Sequence, residues 1–570
     1  MIHGSLLRKA GLFMGEMAEN LSSNSLVYPS DRRMWVQVKW PFLALGAFAA
    51  VAPVAAAWIW YWAFGLPEMG PSPSQIEPSA SDPIGFPAWL RLAHFVNLFF
   101  MVLLIRSGLS ILMDHPRLYW SNHCTLDSEW IRFTPIVVPK DRVWTAKDDS
   151  RYISPWIALP GFRHTVGIAR HWHFLSAFFW FLNGAIFIAL LFCTNQWKRL
   201  VPTDIGIFFD AWKVMVHYAT FHMPVEPDGF YKYNPLQQLS YFGIVFIVAP
   251  VSMLTGLAMS PAIDNWLRWY PALFGGRQAA RSIHFLAMCS YLAFLVPHVG
   301  MVVITGLSRN MNHIVMGTDD TDPTGLMVFI GGLAAILLAC YLAHWVSWKR
   351  PRWVQMGFRR ILGPLQRAVL NRLPSRVQYT RSDISPYFWP NGKMPHSQEW
   401  ESLGELRRQN FRLRVFGLVA NPVQLDFQAL QAIGKREQIT LHHCIQGWSG
   451  VAQWGGITLG QLMEIVKPLP EAKVVVFRSY GDGHYGGEYY DTLTIENAGH
   501  PETMLAWEMN DKPLTDLHGA PLRLRAENQL GYKMVKWIKS VEFVASEKVV
   551  GKGYGGKNED DEYYPVVANI

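Results

Sequence analysis

Six stretches of the chain, near 41–64, 90–113, 174–195, 237–259, 282–306 and 325–348, are apolar and almost free of charge. Each holds the roughly 20 residues that a helix needs to cross about 30 Å of hydrocarbon. Backbone amides find no water there, so only helices or closed barrels survive, and runs of this length predict six membrane helices. Everything charged must then lie in loops or in a separate soluble part. The composition agrees: 570 residues, 50% hydrophobic, 16% charged and 25 Trp describe a membrane protein with a soluble portion, in two or three units.

The links between the runs set the orientation. Residues 66–89 carry Glu68, Glu77 and Asp82 with no Lys or Arg, whereas 114–170 carries eight basic residues. Residues 307–323 hold Arg309 against three aspartates, and 349–381 holds nine basic residues and no acid. Basic loops stay inside, so both termini are expected in the cytoplasm. The first apolar run begins near 41 without a small-residue cleavage site after it, and neither a secretory nor a twin-arginine signal is expected. The net charge of +8 is therefore assigned to cytoplasmic loops and not to nucleic-acid binding.

Residues 353–373 place apolar side chains at helical spacing with Arg359, Arg360, Arg367 and Arg372 between them, which predicts a basic helix lying on anionic headgroups. Beyond about 382 the pattern turns soluble. "AKVVVFRSY" and "KSVEFVAS" predict strands, "DFQALQAI" and "TLGQLMEIV" short helices, in a β-rich mixed domain whose apolar C-terminal end docks. The five cysteines are far apart, at 124, 193, 289, 340 and 444, so they form neither a disulfide framework nor a CxxC metal site.

Ionisable side chains inside a bilayer are costly, which makes intramembrane histidines candidates for function. His94 opens the second run, His171 and His173 the third, and His284 and His298 share the fifth. A spacing of fourteen residues is close to four helical turns, so His284 and His298 share one face about 21 Å apart along the axis. That suits two stacked macrocycles and not one metal centre. Topology pairs His94 with His298 at the outer level and a histidine of the third run with His284 at the inner level, which gives two bis-histidine haems b. Positions two apart on a helix differ by about 200°, so only one of His171 and His173 faces a given partner. His173 is favoured, with His171 as a propionate or interface contact. His344 is expected to be structural; His217 and His222 lie in an outer loop that could border an outer haem or quinone pocket.

The segments "ARHWHFLSAFFWFLNG" and "YNPLQQLSYFGIVF", with the His284 and His298 spacing, resemble the four-helix diheme cytochromes b that serve hydrogenases, formate dehydrogenases and thiosulfate reductases. The resemblance covers about 85–310. It implies haem b ligation at His94, His173, His284 and His298, and exchange with a quinone or quinol pool. The first and last runs have no counterpart in that core.

In the soluble part, "HHCIQGWSGVAQWGGITLGQLMEIV" followed by "HGAPLRLRAENQLGYKMVKWIKSVEFV" is similar to the sulfite oxidase superfamily of molybdopterin enzymes, closest to methionine sulfoxide reductase catalytic subunits. The resemblance implies that Cys444 is the thiolate ligand of molybdenum, a soft donor ionised by the metal. It also implies pterin contacts at Asn391, Ser479, His518, Arg523, Met534, Val535 and Lys536. Sulfite oxidases carry Gly-Asn-Arg just after the ligand cysteine; Ile-Gln-Gly-Trp stands here, which argues against sulfite. Arg478, Tyr480 and His484 are expected to line the substrate mouth.

The expectation is a multi-domain chain. An N-terminal segment with one extra helix (1–84) precedes a diheme four-helix core (85–310), a last helix with a basic linker (311–381) and a sulfite-oxidase-like α+β domain (382–570). Its partners would be a small-molecule substrate, quinone and membrane lipids, with homo-oligomers left open. Electrons would pass between quinone, two haems and molybdenum in the cytoplasmic membrane, the molybdenum domain lying on the cytoplasmic side. Reduction of an S- or N-oxide or oxyanion is preferred to a quinone-reducing dehydrogenase or to a redox relay with a degenerate molybdenum domain.

Overall fold

The computed structural model describes residues 36–69, 86–134, 138–139, 142–161, 166–222, 233–365 and 379–562. The extreme C-terminal residues, expected to dock, lie outside the described residues, as do Arg367 and Arg372 of the predicted basic helix.

Among the described residues, six helices are long and apolar enough to cross a membrane: Trp40–Phe64, Ala88–Asp114, Val166–Cys193, Pro235–Ala258, Arg277–Ile304 and Thr324–Lys349. They match the six apolar runs, with two corrections. The third and fifth spans begin eight and five residues before the apolar runs at 174 and 282. Hydropathy ends where lipid contact ends, but the helices continue because protein replaces lipid around them. Arg277, Gln278 and Arg281 are buried, as are Val166, Ile168 and His171. The fourth span holds a π-helical turn at Gly243–Val248 just before Pro250, whose missing amide is accommodated there.

The basic helix is described over Pro351–Ile361, where it packs on protein as well as facing outward, and its expected continuation past 365 lies outside the described residues. Phe358 stands 4.2 Å from the His171 ring, and Arg352 donates to the Glu559 carbonyl (2.6 Å). It is a strut between the membrane spans and the β-rich domain.

The soluble domain is built from two five-stranded sheets. One contains strands 412–417, 423–426, 474–482, 488–494 and 538–544, with 538–544 parallel to 412–417 and antiparallel to 474–482. The other contains 436–443, 449–458, 504–509, 512–513 and 523–525. Their apolar faces enclose a core of Phe411, Leu413, Ile457, Val475, Phe477, Trp507, Ile538 and Phe543. The strand and helix expectations for the quoted segments agree with strands Val474–Asp482 and Ile538–Val544 and helices Phe427–Ala432 and Leu459–Val466.

A second apolar cluster does not respect the domain boundary. Tyr119, Cys124 and Trp144, from the link between the second and third spans, pack with Phe388, Trp389, Cys444 and Trp448 of the soluble domain. Within that link, Arg117 is buried between Asp149 and Glu129 at 2.7 Å each. A buried arginine so paired is costly to disturb. The link expected to be a basic loop is thus a folded platform on which the soluble domain sits.

Candidate functional site

Cys444 lies in the turn that joins strand Arg436–His443 to strand Ser449–Thr458. The Gly447 amide donates to the Cys444 carbonyl (3.0 Å), and the Cys444 amide to Trp448 (3.1 Å). The turn needs Gly447 at φ +111, a conformation side chains resist, and the Arg281 guanidinium lies 3.5 Å from where a Cβ would stand. The thiol is buried and opens on a cavity, within 3.8 Å of Asn391 Nδ2 and Gln446 Oε1. Burial pushes it up to about 12, so as a free group it stays protonated.

The flanking histidines face opposite ways. His442 packs on Trp448 and is bonded through Nδ1 to Arg525 (3.1 Å), whose guanidinium is itself paired with Glu527 (2.9 Å). His443 reaches the membrane domain, bonding Asn265 (3.1 Å).

The cavity wall contains Asn391, Cys444, His484, His518, Arg523, Met534, Val535 and Lys536 from the sequence expectation, together with Lys147, Lys393, Trp389, Tyr489 and Asn558. Arg523 and Lys536 have only carbonyl partners among the described residues: His518 for the first (3.0 Å), Leu517 (2.8 Å) and Asn391 for the second. The buried Nε of Arg523 and the Trp448 indole N–H are unbonded. A buried guanidinium and a part-buried ammonium, neither hydrogen-bonded to a carboxylate, beside a buried thiol and orphaned donors, fit an anionic thiolate-bound cofactor.

Three expectations do not hold there. Arg478 and Tyr480 stand outside the cavity wall, and the Arg478 guanidinium is spent on Glu542 (2.8 Å) and Glu488 (3.0 Å) from neighbouring strands. Ser479 also lies outside it; its hydroxyl donates to the Lys536 carbonyl (2.7 Å) and accepts from the Gly481 amide (2.9 Å). Ser479 therefore shapes the lysine loop from behind. No local pattern marks Lys147, which lies in a basic stretch that the orientation rule already accounts for. It is the membrane domain's contribution, with Nζ 2.6 Å from His484 Nδ1.

In the membrane spans His173 and His284 stand opposite each other, their ring planes inclined at 66°. The ring centres of His173 and His284 are 6.2 Å apart. Two imidazoles bound to one iron at about 2 Å per bond have centres roughly 6 Å apart. The hydroxyl of Ser107 donates to the Leu103 carbonyl (2.7 Å), so toward His173 Nδ1 (3.2 Å) it can only accept. Thr255 likewise donates to Val251 (2.7 Å) and accepts from His284 Nδ1 (3.1 Å). Both imidazoles therefore carry their proton on Nδ1 and keep the Nε2 lone pair for a metal. Gly108 and Gly256 sit where a Cβ would lie 3.4 and 3.6 Å from the two rings. These residues fit a haem iron.

His171 is turned away, bonding its own helix at the Gly167 carbonyl (2.6 Å). At the other level His94 and His298 are close enough to interact electrostatically, and His298 Nδ1 is 3.3 Å from the Tyr241 hydroxyl. His344 meets the Gly161 amide (3.4 Å), His217 the Pro67 carbonyl (2.9 Å) and His222 the Thr220 hydroxyl (3.0 Å).

The two sites are joined by the fifth span. In its first turn Arg277 (3.1 Å) and Gln278 (2.9 Å) both donate to the Gly447 carbonyl, in the turn that presents Cys444. His284 lies less than two turns further along the same helix.

Comparison with known families decides what these two halves are. Residues 85–316 match the family described as prokaryotic cytochrome b561, and residues 401–550 match the oxidoreductase molybdopterin binding domain. The chain is a fusion of these two domains. The cytochrome b561 domain spans the membrane as a helical bundle, and the molybdopterin-binding domain is the β-rich unit. Among curated proteins, the putative protein-methionine-sulfoxide reductase subunit YedZ1 of Azospira oryzae is 29% identical over 164 residues, 29% of this chain and 58% of that protein. The protein-methionine-sulfoxide reductase catalytic subunit MsrP of Xanthomonas axonopodis pv. citri is 32% identical over 149 residues, 24% of this chain and 46% of that one. The chain thus spans about half the length of the curated relatives it matches. The sulfane dehydrogenase SoxCD of Paracoccus pantotrophus is 22% identical, over 25% of this chain and 40% of that one, with a TM-score of 0.23, too low to support any inference.

Proposed function

We propose that the chain is a membrane-bound molybdenum oxidoreductase that reduces a small oxygen-bearing substrate with electrons drawn from quinol through two haems b. The observation that carries this reading is the hydrogen bonding of the fifth span, which holds His284, to the turn that holds Cys444. Bound here, a molybdenum pterin would supply a two-electron centre for oxygen-atom exchange, and haem b would supply one-electron carriers.

In this reading Cys444 would be the thiolate ligand, and Asn391, whose amide reaches the sulfur at 3.8 Å, would help to orient it. Arg523, Lys536 and His518 hold the pterin, with Met534 and Val535 closing the wall. His173 with His284, and His94 with His298, carry the inner and outer haems. The molybdopterin-binding domain sits at the end of the bundle that carries the basic links, which supports a cytoplasmic location.

The mouth suggests the substrate class. Lys147, Lys393 and His484 converge there, and the wall's one carboxylate is Asp482. An oxyanion, or an S- or N-oxide bearing a carboxylate, fits that charge. Burial, with Lys393 beside it, pulls the Lys147 ammonium down to about 8. Below that pH the lysine is charged and holds an anion; above it the charge is lost. KM for an anionic oxide should therefore rise as pH passes about 8, while a neutral oxide shows no such rise. Lys147→Met should raise KM at pH 7 by about tenfold and flatten the dependence. Mixing dithionite-reduced protein with sulfoxides, N-oxides and oxyanions, and following haem reoxidation, tests the function. Reduction of oxidised haems by sulfite-like donors, with no reoxidation by any oxide, would instead favour a dehydrogenase.

A further inference from the structure

Behind the cavity lies a buried cluster of titratable groups that neither the pterin nor the haems require. Lys533 Nζ is 2.5 Å from Asp491 Oδ1 and 2.6 Å from Glu559 Oε1, and all three side chains are almost wholly buried. The two carboxylates converge on Gly556: a Cβ there would lie 2.4 Å from Asp491 Oδ1 and 2.7 Å from Glu559 Oε2. Two carboxylates against one ammonium leave an excess negative charge in an apolar interior. Such a pair relieves itself by keeping one proton.

The charged groups on the elements packed around the cluster do not cancel that excess. Arg352 binds the Glu559 carbonyl and not its carboxyl (2.6 Å). Lys557 is paired with Asp561 (3.0 Å), and Asp560 faces Tyr490 and the Lys552 and Tyr554 amides. Burial raises Glu559, and Asp491 beside it raises it further; burial raises Asp491 too, against the pull of Lys533.

Tyr489 gives the cluster a polar exit. The Tyr489 hydroxyl is 3.5 Å from Asp491 Oδ2, 3.0 Å from the Tyr532 carbonyl, and accepts from Asn558 Nδ2 at 3.0 Å. Tyr489, Tyr532 and Asn558 are all part of the cavity wall. Groups that only tie a C-terminal segment to a strand have no need of a path to the active cavity.

We propose that Asp491, Lys533 and Glu559 store one proton for oxygen removal and pass it to the cavity through the Tyr489 hydroxyl. The inference rests on the reductase reading above. Removing oxygen from an oxide XO follows XO + 2e⁻ + 2H⁺ → X + H₂O. Quinol supplies both electrons and is oxidised to quinone. Breaking the X–O bond leaves an oxygen that takes one proton from the carboxyl pair and one from water entering the cavity mouth. The emptied pair then recovers its proton from bulk water.

The test uses the full-length, cofactor-loaded protein and two variants. Infrared spectra at neutral pH in H₂O and D₂O should show an exchangeable protonated-carboxyl band, at a pH where an exposed carboxyl is ionised. Glu559→Gln should lose it. Stopped-flow reoxidation of reduced haem by a sulfoxide should slow about 100-fold in Glu559→Gln and in Tyr489→Phe. Tyr489→Phe leaves the ion cluster whole and should keep the carboxyl band. It should also show a larger solvent isotope effect, with unchanged KM. Absence of the band in the wild type, or a wild-type rate in Tyr489→Phe, overturns the proposal. If no oxide reoxidises the wild-type haems, the reductase reading fails, while the infrared band still decides whether the proton is held.

Discussion

Cys444→Ala should abolish turnover and leave the haem spectrum unchanged. Among the described residues the thiol is the one wall group that can supply an anionic sulfur: Met534 offers only a neutral thioether, His442 is committed to Arg525, His484 to Lys147, and His518 to Thr515 and the Phe388 carbonyl. Losing a ligand costs more than losing a group that merely orients one, so turnover should fall by well over 100-fold. Metal analysis should show molybdenum falling with it. Because the side chain is buried in the core shared by both domains, Cys444→Ser keeps the volume and checks that the fold survives. Retained turnover in both variants would sink the ligand assignment.

The second large effect is expected in the membrane. His173→Ala and His284→Ala should each remove one haem of two, the same one, so that the double variant loses no more than either single. His298→Ala and His94→Ala should remove the other. His171→Ala should keep both, since that ring bonds its own helix and packs on Phe358. Pyridine haemochrome titration gives the count. Loss of the inner haem should also halt electron arrival at molybdenum while the outer haem remains reducible by quinol. If the two inner variants remove different haems, the pairing is wrong.

The sequence made the membrane half legible because lipid imposes a single solution on a run of some twenty apolar residues. Helical geometry fixes only that one of His171 and His173 can face a given partner; the structure turns His173 toward His284. Cys444 was legible through its neighbours: Trp448 and Gly447 build the turn that presents it. What stayed hidden depends on strand register and on long-range packing. Arg478 looked like an anion-binding residue until the strands placed Glu488 and Glu542 within reach of it. Lys147 meets His484 across 337 positions of sequence, a contact no local pattern announces. The buried pairing of Lys533 with Glu559 likewise forms only when a segment near the C-terminus folds back beneath strand 488–494.

The cluster of Tyr119, Cys124 and Trp144 with Phe388, Trp389 and Trp448 has a kinetic consequence. Separate redox partners must find each other by diffusion, and their electron exchange varies with concentration and weakens as ionic strength screens their charges. Here the encounter is built into a common hydrophobic core. Haem-to-molybdenum transfer in this chain should accordingly be a first-order event, indifferent to dilution and to added salt.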